Sequence, residues 1–158
     1  MNHITRIILF LSISSSIYGQ SNNCKNSIEI NENDTFIFYV ATNMRGELAL
    51  ENGVGKAGCL VSFLKTNKEW KFELICHTDS RGNASSNAKL SEVRAENLKF
   101  SICRLFLIDS DRITTSGMGE SKPIIPEEVI DKIQDSNKIK DAHTINRRYE
   151  LRAIEKNK

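Results

Sequence analysis

The chain has 158 residues, 39% of them hydrophobic and 27% charged, with 22 Lys and Arg against 20 Asp and Glu. That length suits one domain, and the composition excludes a disordered or fibrous chain. A formal net charge of +2 is too small to argue for nucleic acid or an anionic membrane as partner.

The chain opens on a leader. Arg6 precedes Ile7-Ile8-Leu9-Phe10-Leu11, and a serine-rich stretch then leads to Gly19. A basic start, a short apolar core and a small residue at a cleavage point read as a secretory signal over 1–19, standing outside the fold. The apolar run falls short of the roughly 20 residues a membrane span needs. Cys24 follows Ser21-Asn22-Asn23, whereas a lipid-attachment cysteine follows small and apolar residues. The mature chain is expected to be soluble, in the periplasm, with an association with the outer membrane left open. Cys24, Cys59, Cys76 and Cys103 allow disulfides in such a compartment, and their spacing does not choose a pairing.

Residues 20–34 are rich in Asn, Ser and Glu and predict a flexible lead-in to a domain over 35–158. Thr35 to Val40 is a β-branched and aromatic run, hence a buried strand. Ala57, Leu60, Val61 and Leu64 recur at helical spacing, which predicts a helix over 53–67, weakened by Gly53, Gly55 and Gly58. Trp70, Phe72, Leu74 and Cys76 alternate with Lys71 and Glu73, a half-buried strand ending at His77. A loop rich in turn and cap residues follows over 78–86. Leu90, Val93, Leu98, Ile102, Leu105 and Phe106 then mark the apolar side of a helix over 87–107. Arg112 to Ser116 reads as a short strand, Glu127 to Ile139 as a short helix, and Arg148 to Ala153 as a last strand. The order β-α-β-α-β-(α)-β predicts an α/β (α+β) two-layer sandwich, with helices packed on one mixed sheet.

The motifs around the second strand are more specific. The chain reads His77-Thr78-Asp79-Ser80-Arg81-Gly82, then Asn87-x-x-Leu90-Ser91-x-x-Arg94-Ala95, Asp111-Arg112-Ile113, Gly117-x-Gly119-Glu120-x-x-Pro123 and Asn146-Arg147-Arg148-x-Glu150. In order and near the usual spacing over residues 70–155, these pieces resemble the OmpA C-terminal-like domain family, which includes the Pal lipoproteins and the periplasmic part of the flagellar stator protein MotB. The resemblance implies a periplasmic domain that binds the diaminopimelate stem peptide of peptidoglycan non-covalently, without a cofactor, a metal or catalysis. By motif match, the family's site acid and site arginine correspond to Asp79 and Arg94. Thr78 is expected to line the site, and Asn146 and Arg147 to open the last strand beside it. Of Arg147 and Arg148, one is expected to face the ligand or loop and the other solvent, with Arg147 favoured for the site.

The chemistry stands beside the resemblance. The end of a diaminopimelate side chain carries an ammonium and a carboxylate on one carbon. A site for it needs an acid and a guanidinium close together, and a guanidinium can hold a carboxylate by two parallel hydrogen bonds. Asp79 follows the end of a strand. Arg94 falls on the helix row of Leu90 and Leu98, so both heads can reach one rim. The plainer alternative is that Asp79 and Arg94 pair with each other and only fix the loop.

Two departures from the family pattern stand out. Cys76 occupies the position where a glycine usually precedes the His-Thr-Asp motif. The stretch Val40-Ala41-Thr42-Asn43 carries no acid where the family commonly has one. This motivates the competing reading, an interaction adaptor in an envelope complex that keeps the fold without binding peptidoglycan. The segment 124–145 also runs longer than usual and is expected to form an extra surface element. His77 reads as structural. A zinc site from Cys76, His77 and His143 and a dinucleotide fingerprint at Gly53-Val54-Gly55-Lys56-Ala57-Gly58 are minor readings, because the flanking sequence lacks a convincing ligand set and strand.

Overall fold

The computed structural model describes residues 7–9, 29–40, 42–48 and 57–156. Its elements in chain order are β1 (Ile7–Leu9), β2 (Thr35–Phe38), α1 (Gly58–Thr66), β3 (Trp70–His77), α2 (Ala84–Phe106), a 3-10 turn at Ser110–Arg112, β4 (Ile113–Gly119), α3 (Glu127–Ile130), α4 (Ser136–Asn146) and β5 (Tyr149–Lys156). The strands form one mixed sheet in the order β1-β2-β5-β3-β4. β3 and β4 run parallel, while β5 is antiparallel to both β2 and β3. The long helix α2 supplies the crossover that a parallel pair requires.

One sheet face is apolar because alternate residues of each strand point to it. Phe36 and Phe38 of β2, Phe72, Leu74 and Cys76 of β3, and Leu151 and Ala153 of β5 form its floor. Leu60, Val61, Phe63 and Leu64 of α1 and Ala95, Leu98 and Ile102 of α2 close over it. The Phe63 ring ties the layers together, lying 4.5 Å from Phe36 and 5.6 Å from Phe72 between centroids. This is the α+β arrangement of helices on one mixed sheet that the order of elements predicts.

Four differences from the sequence reading have physical causes. First, the buried row of α2 is Asn87, Ser91, Ala95, Leu98 and Ile102, whereas Val93 and Leu105 are exposed. The row is small because β4 presents glycines there: a Cβ on Gly117 would lie 2.3 Å from the backbone nitrogen of Glu92. Second, the segment read as one helix over 127–139 is two helices, and Asp135 starts the second by accepting hydrogen bonds from the amides of Asn137 and Lys138. Third, the end of the lead-in is attached to the sheet. Asn33 donates to the carbonyl of Ala153 and Ala153 donates to that of Asp34. Fourth, Ile7–Leu9, inside the stretch read as an export signal, pairs in parallel with Thr35–Ile37 at the edge of β2. An apolar, β-branched tripeptide finds there a row of unpaired backbone groups. The remainder of the leader, residues 20–28 and the Gly53–Lys56 part of the glycine-rich stretch lie outside the described residues.

Cys59 is disulfide-bonded, and Cys76 and Cys103 are free thiols. None of the full pairings of four cysteines therefore forms. Among the described residues, no group of His, Cys, Asp and Glu could hold a metal ion, and no helix is long and apolar enough to cross a membrane.

Arg112 illustrates how a charge is held in this core. It is buried, and its guanidinium donates to the carbonyls of Trp70, Leu64 and Asn67. It thereby pins the end of α1 to the start of β3, consistent with a structural role in its motif.

Candidate binding rim at the end of the third strand

The loop between β3 and α2 is built by its own side chains. Asp79 Oδ1 accepts the backbone N–H of Arg81 at 3.1 Å, a turn in which an Asp side chain mimics a backbone carbonyl. Gly82 follows with φ +108°, a left-handed conformation that suits glycine. Asn83 then caps α2, its Oδ1 accepting from the amides of Ser85 and Ser86 at 2.9 and 3.3 Å. These two amides at the helix start are engaged by the cap. Asn87 clamps the loop from below, its Nδ2 donating to the carbonyls of Asp79 and Arg81 and to Glu120 Oε2. Ser80 donates its hydroxyl to Glu127 of α3.

Asp79 sits at the centre. Arg81 Nε reaches Oδ1 at 3.2 Å and Arg81 Nη2 reaches Oδ2 at 2.8 Å, and Arg147 Nη1 also donates to Oδ2. The Asp79 side chain is 8% exposed, against 61% for Arg81 and 37% for Arg147. Its cover is thus two solvent-facing side chains and not the core. Burial pushes the Asp79 carboxyl up, but hydrogen bonds from Arg81 and Arg147 outweigh it and hold the group at about 2.

Arg94 lies on α2. It is half-buried, and its Nε donates to the carbonyl of Met44 at 3.1 Å. The turn around Met44 rests on α2, with Asn97 donating to the Arg45 carbonyl. Gly46 permits this contact, since a Cβ there would lie 2.4 Å from Arg94 Cα. The Arg94 charge also reaches the buried Cys76 thiol and the Tyr149 hydroxyl, at the C-terminal end of β3 and the start of β5. Burial raises the Cys76 thiol to about 11, which leaves it protonated and unreactive at neutral pH. Asp79 and Arg94 do not pair with each other: the Asp79 oxygens are held by Arg81 and Arg147. The plainer alternative of a mutual loop-fixing pair is therefore not what the fold builds.

The remaining candidates divide. Thr78 is buried, its amide donating to the Gly119 carbonyl, and its hydroxyl has no hydrogen-bond partner. Asn146 is fully buried. Its Oδ1 accepts from the amides of Ile124 and Ile125 and its Nδ2 donates to the Ile125 carbonyl. It thereby fixes the neighbouring chain at residues 124–125. Arg147 turns to the loop. Arg148 does not face solvent as expected; it is buried and bonded to Glu150 and to the carbonyls of Asn146 and Lys122. His77 Nε2 lies 3.4 Å from Glu150 Oε1, on the sheet face opposite the aromatic core. Two contributors were not singled out from sequence, Arg81 and the clamp role of Asn87. A cation two residues beyond the acid was the legible signal for the first.

Burial raises the Glu150 carboxyl, and the adjacent His77 and Arg148 overcome this to bring it from 4.5 down to about 2. Both acids are thus depressed in the folded chain, Asp79 from 3.8. A depressed acid contributes stability that is complete above its unfolded value and lost as pH falls through its folded one. Thermal melts are expected to hold level down to about pH 4.5 and then fall toward pH 2. The double variant Asp79→Asn, Glu150→Gln should show a shallower fall, and an equally steep one would contradict the assignment.

An open mixed sheet carrying α1 and α2 on one face, with a carboxylate and two guanidiniums at the end of β3, defines a small α+β domain with a charged rim. The model of the OmpA family matches residues 56–137, and the chain belongs to that family. Among solved structures, the periplasmic domain of Helicobacter pylori MotB superposes with a TM-score of 0.58 at 14% identity, covering 80% of this chain and 86% of that one. The peptidoglycan-associated lipoprotein from Burkholderia pseudomallei gives a TM-score of 0.53 at 18% identity, covering 72% and 87%. These likenesses are of fold. A stretch of 54 residues is 43% identical to the photosystem I P700 chlorophyll a apoprotein A2 of Gloeobacter violaceus, and it spans 34% of this chain and 6% of that protein.

Proposed function

We propose that this domain binds peptidoglycan non-covalently through the diaminopimelate stem peptide and so tethers or scaffolds in the cell envelope. It acts as a binder and not as an enzyme. Asp79 takes the ammonium of the ligand's amino-acid end and Arg94 its carboxylate, with Thr78 and Arg147 bordering the site. The observation that carries this reading is the rim itself: a carboxylate bonded to two solvent-facing guanidiniums, at the end of β3, in a chain of the OmpA family. Family membership and a solved neighbour named as peptidoglycan-associated support the ligand class. The expected setting is the periplasm, with the 1–19 leader as the export signal.

Hydrogen bonds to charged groups contribute roughly 1.5–3 kcal/mol each. A few such contacts reach micromolar binding, about −8 kcal/mol. The wall is a polymer, so local ligand density strengthens retention beyond one site. The adaptor reading is favoured by one feature, the absence of an acid over residues 40–43, where the Thr42 hydroxyl instead lies 3.3 Å from that of Tyr149.

Co-sedimentation with purified sacculi separates the two. The binder is expected to sediment with diaminopimelate-type walls, to be released by free diaminopimelate, and to bind lysine-type walls at least tenfold more weakly, since these lack the side-chain carboxylate. An adaptor stays in the supernatant with both, and equal binding to both wall types would contradict the role given to Arg94.

A further inference from the structure

The carboxylate that the proposed ligand needs is already occupied. Arg81 folds back on Asp79 with three contacts, from its amide, Nε and Nη2. The last two form the two-pronged match between a guanidinium and a carboxylate. Arg147 holds the same carboxylate, but differently. Its Nη2 is also tied to Thr144 Oγ1 at 2.8 Å, and it is the less exposed of the two. Among the described residues, the Arg81 guanidinium is bound to Asp79 alone, and it faces solvent. A cation approaching Asp79 from outside therefore meets Arg81 first.

We infer that Arg81 is a displaceable latch, its guanidinium holding the place on Asp79 that the ligand's ammonium takes. This rests on the peptidoglycan reading above and adds how that site selects. Binding exchanges one cation for another on a single carboxylate, with no net gain of charge pairing. A ligand offering only an amine trades like for like and is retained poorly. A ligand offering an amine beside a carboxylate gains through Arg94 and displaces the latch. Arg81 thus lowers the affinity of every incoming cation by the same factor, so that a simple amine is held too weakly to stay while a ligand that also engages Arg94 is retained. The neighbouring acids Glu120 and Glu127 do not compete for Arg81, since they accept from Asn87 and Ser80.

The test compares the wild-type chain with Arg81→Ala and Arg81→Lys. Each is titrated with free diaminopimelate and with cadaverine, an amine without carboxylates, and sedimented with diaminopimelate-type sacculi. An exposed ion pair sets the size of the effect, so Arg81→Ala should bind both small ligands about fivefold more tightly, with Arg81→Lys between it and wild type. The wild-type Arg81 Nε–H resonance should shift on saturation with diaminopimelate, a readout that a merely structural arginine would not give. If wild type binds and Arg81→Ala binds equally or more weakly, the latch is overturned and the peptidoglycan reading stands. Binding by Arg81→Ala alone supports the latch and shows the wild-type rim to be held shut. If no form binds, both inferences fall.

Discussion

Alanine at Asp79 or at Arg94 is expected to remove the protein from the sacculus pellet while leaving it folded. Each substitution deletes a charged partner contributing roughly 1.5–3 kcal/mol, or about ten- to a hundredfold in affinity. Retention on a polymer multiplies the single-site loss. The fold should tolerate both changes. The two guanidiniums released by Asp79→Ala are solvent-facing at 61% and 37% exposure, so they rehydrate at small cost. Arg94→Ala loses one hydrogen bond, to the Met44 carbonyl. Circular dichroism would verify folding beside the sedimentation assay. Two folded variants that pellet like wild type would show the site to be elsewhere.

Gly117→Ala is expected to cause the largest loss of stability, at least about 3 kcal/mol, read as a drop in the urea midpoint. The added Cβ would stand 2.3 Å from the Glu92 nitrogen, 2.5 Å from Ser91 Oγ and 2.7 Å from the Ser91 carbonyl carbon. Two of those atoms are backbone of α2, so no rotamer change relieves the clash, and the helix must lift from β4. Lifting it also strains the hydrogen bond that the Gly119 amide donates to Ser91 Oγ at 2.9 Å, between buried groups. Gly58→Ala is the matched control. A Cβ at Gly58 meets nothing within 4 Å, and alanine suits a helix better than glycine by roughly 1 kcal/mol. Equal midpoints for the two variants would refute the close packing of α2 on β4.

Those contrasting glycines show what the sequence makes legible. β3 was readable from end to end because Trp70, Phe72, Leu74 and Cys76 alternate with Lys71 and Glu73 in a half-buried strand. The register of α2 was not. Large apolar residues normally mark the buried row, yet here Val93, Phe100 and Leu105 are outward and the inward row runs Asn87, Ser91 and Ala95 before it reaches Leu98 and Ile102. Nothing local tells a helix that its partner strand will present Gly117. The site divides in the same way. Motif position singles out Asp79 and Arg94 as candidates, whereas the grip of Arg81 on Asp79 requires a turn that folds the chain back on itself. Asn146 shares its motif with Arg147, but the helix end points its amide inward to the chain at 124–125.

The position of β5 has a consequence for how the molecule comes into being. It lies between β2 and β3, yet it is the last of the strands along the chain. A polypeptide emerging amino end first would hold the β1–β2 pair and the β3–β4 pair apart until residues 149–156 arrive to bridge the two halves. Contacts of such long sequence separation form slowly. Closure of the sheet is therefore the last step open to the growing chain, and its two halves stay separable until then.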